Sequence, residues 1–160
     1  MELKEIIIEK INTGFTDALQ EISEFRGDLA LNIKPEQIVP VCRLLKEDPD
    51  LDFAMCEDVT AIDWAKRKNR FTVVYHIYSL KHKFRLRLRT NLQDETAESV
   101  TSVWASANWY ERETFDMYGI KFTGHPDLRR VYMPEEFQYH PLRKEFPLLG
   151  IPGSLSLPKK

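Results

Sequence analysis

The chain has 160 residues, with 23 lysines and arginines against 25 aspartates and glutamates and a hydrophobic fraction of 42%. A chain of this length buries about 70% of its unfolded surface, so one core is expected rather than two full domains. No apolar run approaches the roughly 18 residues of a membrane span, and the amino terminus lacks the features of a secretory signal, so a cytoplasmic protein is expected. Cys42 and Cys56 are too few and too widely spaced for a disulfide framework, an iron–sulfur cluster or a thiolate zinc site, and both are expected to be buried apolar residues.

The beginning of the chain predicts a helix followed by a hairpin. Leu3, Ile7 and Ile11 recur at i, i+4 and i+8, which gives one apolar helical face. Gly14 can end this helix. The segments ALQEISEF and DLALNIK then alternate apolar and polar residues on either side of Arg26-Gly27-Asp28, a pattern that is typical of a β-hairpin.

A second helix and three strands follow. Pro35 suits the first turn of a helix that carries an apolar stripe and ends at Asp48-Pro49. Pro40 within it predicts a shortened or bent helix. From Leu51 the pattern changes to period two in the segments LDFAMCEDVTAIDW, FTVVYHIYSL and KFRLRLRTNL, of which the last two are predicted to form an antiparallel meander.

A third helix completes the predicted elements. Residues 97–118 restore the helical period through Val100, Val103, Trp104 and Ala107, and Gly119 ends the helix. The predicted order is therefore α-β-β-α-β-β-β-α. This order implies an α+β fold, a two-layer sandwich of a mixed or antiparallel five-strand sheet with helices, followed by a long irregular C-terminal tail.

The chain changes character near residue 119. Residues 1–118 contain 16 basic and 21 acidic side chains, whereas residues 119–160 contain 7 basic and 4 acidic ones. Six of the nine prolines and four of the six glycines also lie beyond residue 118, which disfavours long helices and central strands there. Because this segment is still too apolar for disorder, we divide the chain into an α+β body, 1–118, and an extended partner-binding tail, 119–160. Residues 119–133 have the alternative of packing on the chain's own sheet.

A row of cations lies on one face of a predicted strand. Its members are Lys81, Lys83, Arg85, Arg87 and Arg89. A basic β-face could bind RNA or DNA. The net charge of −2 instead favours a solvated face, because sequence-independent affinity for nucleic acids needs an excess of positive charge. No nucleic-acid partner is therefore expected.

The segment ERETFDMYG concentrates charge on the last predicted helix. Glu113 and Asp116 share a face at i, i+3, so one hypothesis is a carboxylate metal site, completed by His125 and His140, in a hydrolase. The alternative is an ion-pair network in which Glu111, Glu113 and Asp116 pair mainly with arginines of the tail or of a partner. Each histidine precedes a proline, which favours a fixed hydrogen-bonding anchor over a mobile base.

The run NWYERETFDMYGIKFTGHPDLRRVYMPEEFQYHPLRKEFPL resembles the signature of the C-type subunit of bacterial NADH-quinone oxidoreductase, the 30-kDa subunit family of respiratory complex I. The positions in register are Glu111, Arg112, Glu113, Asp116, Met117, Tyr118, His125, Arg129, Val131 and Tyr132. The downstream MPE and HPLRK elements also match, and Phe137 stands where many relatives have tryptophan. Upstream segments such as EFRGDLALNIKPE and DVTAIDW resemble the family as well, so the likeness covers nearly the whole chain.

This resemblance implies a scaffold and not a catalyst, in the peripheral arm of a proton-translocating NADH:quinone reductase. It implies that the chain binds no cofactor of its own, with FMN and the iron–sulfur clusters held by partner subunits. Because the sequence lacks cofactor motifs and cluster ligands, we expect the isolated chain to have no redox or hydrolytic activity. The implied partners are the quinone-site, 49-kDa-type subunit and the neighbouring iron–sulfur subunits, on the cytoplasmic side of the bacterial inner membrane. The signature residues expected to serve partner binding are Glu111, Arg112, Glu113, Asp116, His125, Arg129, Arg130, Phe137, His140, Arg143 and Lys144.

Two alternatives stay open. Within the same superfamily, the chain could be the matching subunit of a membrane-bound hydrogenase or of a dehydrogenase with another electron donor. In a different class, it could be the carboxylate and histidine hydrolase described above. For the tail, we expect that aromatic anchors insert into pockets of a partner. These anchors are Phe122, Tyr132, Phe137, Tyr139 and Phe146.

Overall fold

The computed structural model describes residues 2–153. Its helices are α1 (Leu3–Gly14), α2 (Ile38–Glu47) and α3 (Ala107–Tyr118), and a single 3-10 turn (Pro35–Gln37) precedes α2. Its strands are β1 (Leu19–Phe25), β2 (Asp28–Ile33), β3 (Met55–Asp63), β4 (Phe71–Ser79), β5 (Phe84–Asn91), β6 (Thr96–Glu98) and β7 (Lys121–Thr123). The predicted order of the helices and the five long strands is confirmed. None of the helices in this part of the chain is long and apolar enough to cross a membrane.

The five long strands form one mixed sheet in the order β1-β2-β5-β4-β3. The β1/β2, β3/β4 and β4/β5 pairs are antiparallel, and β2 and β5 run parallel to each other. A parallel pair needs a long crossover, which here consists of α2, β3 and β4. The predicted five-strand sheet and the β4/β5 meander are therefore confirmed.

One face of the sheet packs against α1 and α2 to form the core. Alternate residues of a strand point to opposite faces, and the register places Leu31, Leu88 and Tyr75 side by side on this face. These three side chains are buried together with Ile7 of α1 and Leu45 of α2. The helical and period-two patterns of the sequence thus meet in a single core, and the predicted two layers are confirmed.

The hairpin between β1 and β2 turns at two residues with positive φ. Arg26 has φ 52° and Gly27 has φ 90°. Two consecutive positive φ angles are the mark of a type I′ turn, whose twist matches that of the flanking strands. The hairpin predicted around this dipeptide is confirmed.

Pro40 does not break the second helix. It is the third residue of α2, which begins at Ile38 and continues to Glu47. The N–H groups of the first helical turn have no intrahelical acceptor, so a proline there loses no hydrogen bond. The segment that begins at Pro35 forms a 3-10 turn before α2 starts.

The third helix is shorter than predicted, because residues 97–106 are not helical. Ala97 belongs to β6, which pairs with β7 in a short parallel ladder. Val103 and Trp104 then lie in turns whose N–H groups both donate to the carbonyl of Val100. Consecutive turns bury the same apolar residues as a helix would, which is why the periodicity was misleading. The prediction of a helix over 97–118 is wrong at its start and correct for α3.

The arginines of β5 point away from the core. They alternate with the core residues of that strand and so lie on the opposite face of the sheet. Arg85 pairs with Glu57 at 2.9 Å, and Arg87 lies 4.0 Å from Asp28. Lys83 stands before the strand in a turn, with φ 49°. Because carboxylates compensate two of the arginines, the geometry favours the solvated face over a nucleic-acid site.

Candidate functional site

The candidate site centres on Asp116, whose side chain in α3 is fully buried. Oδ2 of this carboxylate accepts three consecutive backbone N–H groups, from Val131 at 3.0 Å, Tyr132 at 2.7 Å and Met133 at 2.9 Å. Oδ1 lies 2.5 Å from Nη1 of Arg130. The charge of Asp116, in the last turn of α3, thereby fixes the backbone of residues 131–133 and the side chain of Arg130.

Four donors keep Asp116 ionised in spite of its burial. Burial alone would raise its pKa, because removal from water disfavours the charged form. The amides of Met133, Tyr132 and Val131 and the guanidinium of Arg130 stabilise the carboxylate, and the pKa is lowered below its ordinary value. The predicted pairing of this carboxylate with an arginine of the tail is therefore confirmed, with three amides added that the sequence did not indicate.

Arg112 binds the same segment through its carbonyl groups. This residue is buried, and its guanidinium donates from Nε to the carbonyl of Arg129 at 3.2 Å and from Nη2 to that of Arg130 at 3.3 Å. The guanidinium carbon also lies 4.5 Å from the centre of the Trp109 ring. Residues 129–133 are thus held by their carbonyl groups at one end and by their N–H groups at the other.

Both signature histidines act as anchors. His125 places Nε2 3.1 Å from the carbonyl of Asn108 and accepts the N–H of Asp127 on Nδ1 at 3.0 Å, which assigns the ring proton to Nε2. Nδ1 of His140 lies 3.0 Å from the carbonyl of Asp116. The interpretation of these residues as fixed hydrogen-bonding groups is confirmed.

The tail returns to the end of α3 where a glycine leaves room for it. Gly119 has φ 79°, and a Cβ built there would lie 2.5 Å from Nη2 of Arg143 and 2.6 Å from Nε2 of His140. Arg143 donates from Nε to the carbonyl of Tyr118 at 2.6 Å and pairs with Glu95 at 2.7 Å. Glycine is required here both by the backbone angle and by the close approach of these two side chains.

Glu111 does not take part in the predicted ion-pair network. Its buried carboxylate accepts Ser99 Oγ at 2.6 Å and the N–H of Val100 at 2.7 Å, and so holds the turn that leads into α3. No cation faces it within residues 2–153. Burial outweighs these two hydrogen bonds and raises its pKa to about 7. The prediction that Glu111 pairs with an arginine of the chain's own tail is wrong, because the helix directs this side chain towards the core.

Glu113 lies on the exposed side of α3. It forms no ion pair with any of the described residues, so its pairing with a partner stays a prediction. Trp109, one turn earlier, is 62% exposed although its ring is fixed by Arg112. The helix therefore binds the tail with one side and presents a tryptophan and a carboxylate on the other.

The geometry does not support the hydrolase hypothesis. Its four proposed ligands were Glu113, Asp116, His125 and His140. The oxygens of Asp116 are occupied by four donors, and each histidine is committed to backbone groups. Within residues 2–153, no group of three or more histidine, cysteine, aspartate or glutamate side chains is placed to hold a metal ion. The Asp116 carboxylate organises the tail instead.

The aromatic residues of the tail divide into two groups. Phe122 and Phe137 are buried within the chain itself, so the prediction that they insert into a partner is wrong. Phe137 packs edge to face against Tyr139, with ring centres 5.6 Å apart. Tyr132 and Tyr139 remain exposed, at 63% and 44%. Phe146 is half-buried beside Phe137.

A second contact joins the tail to the sheet and was not anticipated. Asp63, at the end of β3, accepts the N–H of Lys144 at 2.9 Å and two hydrogen bonds from Arg70 at 2.7 and 2.8 Å. Arg70 also pairs with Glu145. The hydrogen bonds of Arg70, Lys144 and Ala65 lower the pKa of the Asp63 carboxyl far below its ordinary value. Nothing in the segment DVTAIDW distinguishes this aspartate from a strand-end residue, so the sequence carried no signal for it.

These contacts define a small α+β domain whose charged helix binds the chain's own C-terminal segment and leaves aromatic side chains exposed beside it. The family model described as "Respiratory-chain NADH dehydrogenase, 30 Kd subunit" matches residues 31–151. The chain belongs to this family, as its signature indicated.

Curated relatives and solved structures agree with this assignment. The C-type subunit of NADH-quinone oxidoreductase from Roseiflexus sp. (strain RS-1) is 44% identical over 144 residues, which cover 89% of this chain and 83% of that protein. The second C-type subunit of the same enzyme in Rhizobium meliloti (strain 1021) is 47% identical over 144 residues, or 89% of this chain and 79% of that protein. The trypsin-resistant fragment (1-134) of Nqo5 matches with a TM-score of 0.65 and 28% identity, over 80% of this chain and 100% of that one.

A further solved structure shares the fold alone. A chain of the membrane-bound sulfane sulfur reductase, an archaeal respiratory membrane complex, superposes with a TM-score of 0.76 over 92% of this chain and 88% of that chain. Its sequence is 24% identical, too low to carry function. The alternative of a related complex with another electron donor stays a prediction.

Proposed function

We propose that this chain is a non-catalytic scaffold subunit in the peripheral arm of a proton-translocating NADH-quinone oxidoreductase. In this role it docks on the quinone-site, 49-kDa-type subunit and supports electron transfer from NADH to quinone by holding neighbouring subunits in position. The observation that carries the proposal is the capture of residues 129–133 by Arg112 and Asp116. Arg112 and Asp116 hold the chain's own tail in place and so organise a binding surface. Neither side chain is then free for catalysis.

The surface that α3 and the tail present has the composition of a docking site. Trp109, Tyr132, Tyr139 and Leu142 are all exposed. Tryptophan and tyrosine are the residue types that most often dominate binding energy, above all when they are fixed before binding. The buried guanidinium of Arg112 lies against the Trp109 ring, and Asp116 binds the backbone N–H of Tyr132 and so holds the backbone that carries this side chain.

The cofactors belong to neighbouring subunits in this proposal. Both cysteines are buried, and burial raises the pKa of the Cys42 thiol and raises that of Cys56 to about 12. Thiols ligate iron only as thiolates, so these two side chains are poor ligands for a cluster. FMN and the iron–sulfur clusters are accordingly assigned to partners, and the chain reaches the cytoplasmic side of the membrane through the complex.

The proposal is tested by native purification of the full chain from its own host through an affinity tag. We expect co-purification of the 49-kDa-type and iron–sulfur subunits, together with NADH:quinone reductase activity in the complex. The same chain expressed alone is expected to show no flavin or iron–sulfur absorption. Partners from a hydrogenase would favour the other-donor alternative, and a chain recovered without partners would contradict the proposal.

A further inference from the structure

The connection between β3 and β4 carries a run of cations that the docking surface on α3 does not include. Its sequence, WAKRKNR, spans residues 64–70, and every residue from Trp64 to Asn69 is exposed. Lys66, Arg67 and Lys68 are consecutive. This loop, called the basic loop below, projects from the end of the sheet.

The base of the basic loop is held firmly. The N–H of Trp64 donates to the carbonyl of Arg70 at 2.8 Å, and the N–H of Ala65 donates to the Asp63 carboxylate at 2.8 Å. The indole N–H of Trp64 donates to Thr72 Oγ1 at 2.9 Å. The guanidinium carbon of Arg67 lies 3.8 Å from the centre of the Trp64 ring. One cation and one aromatic ring of the loop are therefore preorganised.

The cations at the tip of the basic loop lack carboxylate partners. Arg70, at its base, pairs with both Asp63 and Glu145. Lys66, Arg67 and Lys68 form no ion pair among residues 2–153. The chain as a whole has a net charge of −2, so this positive patch is a local feature. Three adjacent cations around a fixed tryptophan complement a surface that bears carboxylates.

The basic loop also adjoins the tail. Asp63 accepts hydrogen bonds from Ala65 and Arg70 of the loop and from the N–H of Lys144 in the tail. Lys144, an exposed residue, thus has its backbone next to the base of the loop. A partner that covers the tail at residues 143–146 would therefore lie close to the basic loop as well.

We propose that the basic loop is a second docking element, which binds an acidic surface of a neighbouring protein subunit. The proposal rests on the proposed function for the existence of the assembly. A nucleic acid is disfavoured because its affinity comes from many phosphate contacts, and only three cations of the loop lack an ion pair among residues 2–153, on a chain of net negative charge. An anionic membrane is disfavoured because stable attachment takes a second signal besides a short basic patch.

Chemical modification of the native complex tests this assignment. Lysines are acetylated in the isolated chain and in the purified complex, and the reactivity of each lysine is compared by mass spectrometry. We expect Lys66 and Lys68 to lose at least about fivefold of their reactivity in the complex, and Lys83, an exposed lysine at the other end of β4, to change little. A zero-length carbodiimide cross-linker is expected to join Lys66 or Lys68 to an aspartate or glutamate of another subunit.

Substitution gives the second measurement. The full chain with Lys66→Gln, Arg67→Gln and Lys68→Gln is compared with a control that removes three other exposed cations, Arg26→Gln, Arg43→Gln and Lys83→Gln. At low ionic strength we expect about fivefold to tenfold weaker binding of the loop variant to a peripheral arm depleted of this chain, and near wild-type binding of the control. At about 1 M salt, where the screening length falls to about 3 Å, the difference should vanish.

The outcomes separate the two proposals. A chain that is absent from the respiratory complex contradicts the proposed function. A chain that is present while Lys66 and Lys68 stay as reactive as in isolation overturns the basic loop alone. Protection that is lost on nuclease treatment, or that the isolated chain shows on phosphatidylglycerol vesicles without partners, would also overturn it in favour of a nucleic acid or a membrane.

Discussion

Asp116 of α3 and Arg130 of the tail form an ion pair at 2.5 Å in which the aspartate side chain is fully buried and the arginine side chain is 11% exposed. The pair joins the acidic body to a basic residue of the tail. Desolvation makes such a pair costly unless further hydrogen bonds satisfy both ions. Three N–H groups supply them for Asp116, and the carbonyl of Tyr139 accepts from Arg130. This ion pair therefore both stabilises the fold and shapes the docking surface.

Removal of the negative charge of Asp116 should therefore destabilise the folded chain strongly. Asp116→Asn keeps the shape of the side chain but leaves the buried guanidinium of Arg130 without a counter-ion, and we expect a loss of about 3–5 kcal/mol in the free energy of unfolding. Glu113→Gln on the exposed side of the same helix is the matched control and should change stability by less than about 0.5 kcal/mol. Urea denaturation of both variants at pH 7 measures the difference. Equal stability of the two variants would contradict the buried ion pair.

The raised pKa of Glu111 predicts that the stability of the folded chain depends on pH. Its folded-state pKa of about 7 lies above its ordinary value of 4.5. A raised pKa means that its contribution to stability is fully present below pH 4.5 and is lost as the pH rises to about 7, a change of about 3 kcal/mol. Glu111→Gln should match the wild type near pH 4.5 and be more stable at pH 8. Denaturation curves across this range test the claim, which a variant less stable than wild type at pH 8 would refute.

The fold and the pairing of neighbouring strands were largely predictable from periodicity, and the pairing of β2 with β5 was not. Alternation located β1 to β5, and the Arg26-Gly27 turn fixed β1 against β2. The parallel pairing of β2 with β5 depends on how a crossover packs over the sheet, which no local pattern encodes. The start of α3 was misplaced because turns at Val100 bury the same side chains as a helix would.

The side-chain partners of the candidate site were partly predictable from the sequence, and its backbone partners were not. Charge complementarity between helix and tail indicated a pair such as Asp116 with Arg130. The other partners of Asp116 are backbone N–H groups, which every residue except proline carries and which therefore leave no trace in a sequence. Glu111 was misassigned because its charge suggested an arginine, whereas its position on α3 directs it into the core.

The close packing around Gly119 predicts that a Cβ at this position destabilises the chain. Gly124, which has open space around it, provides the control. Gly119→Ala places a Cβ within 2.7 Å of Arg143 and His140, whereas Gly124, with a similar φ of 78°, has nothing within 4 Å. Both alanine variants are expected to lose about 1 kcal/mol from the backbone angle. Gly119→Ala should lose more and should also release residues 140–144, seen as faster tryptic cleavage after Arg143. Identical cleavage rates in the two variants would contradict the close packing.

Because Trp109 is exposed, its substitution is predicted to weaken assembly with partner subunits and to leave the folding of the chain nearly unchanged. Because its ring is 62% exposed, Trp109→Ala should leave the free energy of unfolding within about 1 kcal/mol of wild type. Loss of an aromatic anchor from an interface typically costs about 2 kcal/mol or more, so binding to the depleted peripheral arm should fall by at least about 30-fold. Phe25→Ala, at another well-exposed aromatic on the β1/β2 hairpin, is the control and should bind normally. Equal binding of both variants would remove Trp109 from the interface.

A chain that ends at Pro134 tests most directly whether the tail is needed for docking on the 49-kDa-type subunit. This chain keeps the contacts of Arg112 and Asp116 with residues 129–133 and removes Tyr139, His140 and Arg143. The cluster of buried apolar residues that forms the core lies before Pro134, so we expect the shorter chain to fold. The measurement is the yield of the 49-kDa-type subunit that co-purifies with the tagged short chain, relative to the full chain. We expect cooperative melting of the short chain and a yield of this subunit that is reduced at least about tenfold. A folded short chain that retains this subunit at full yield would contradict it.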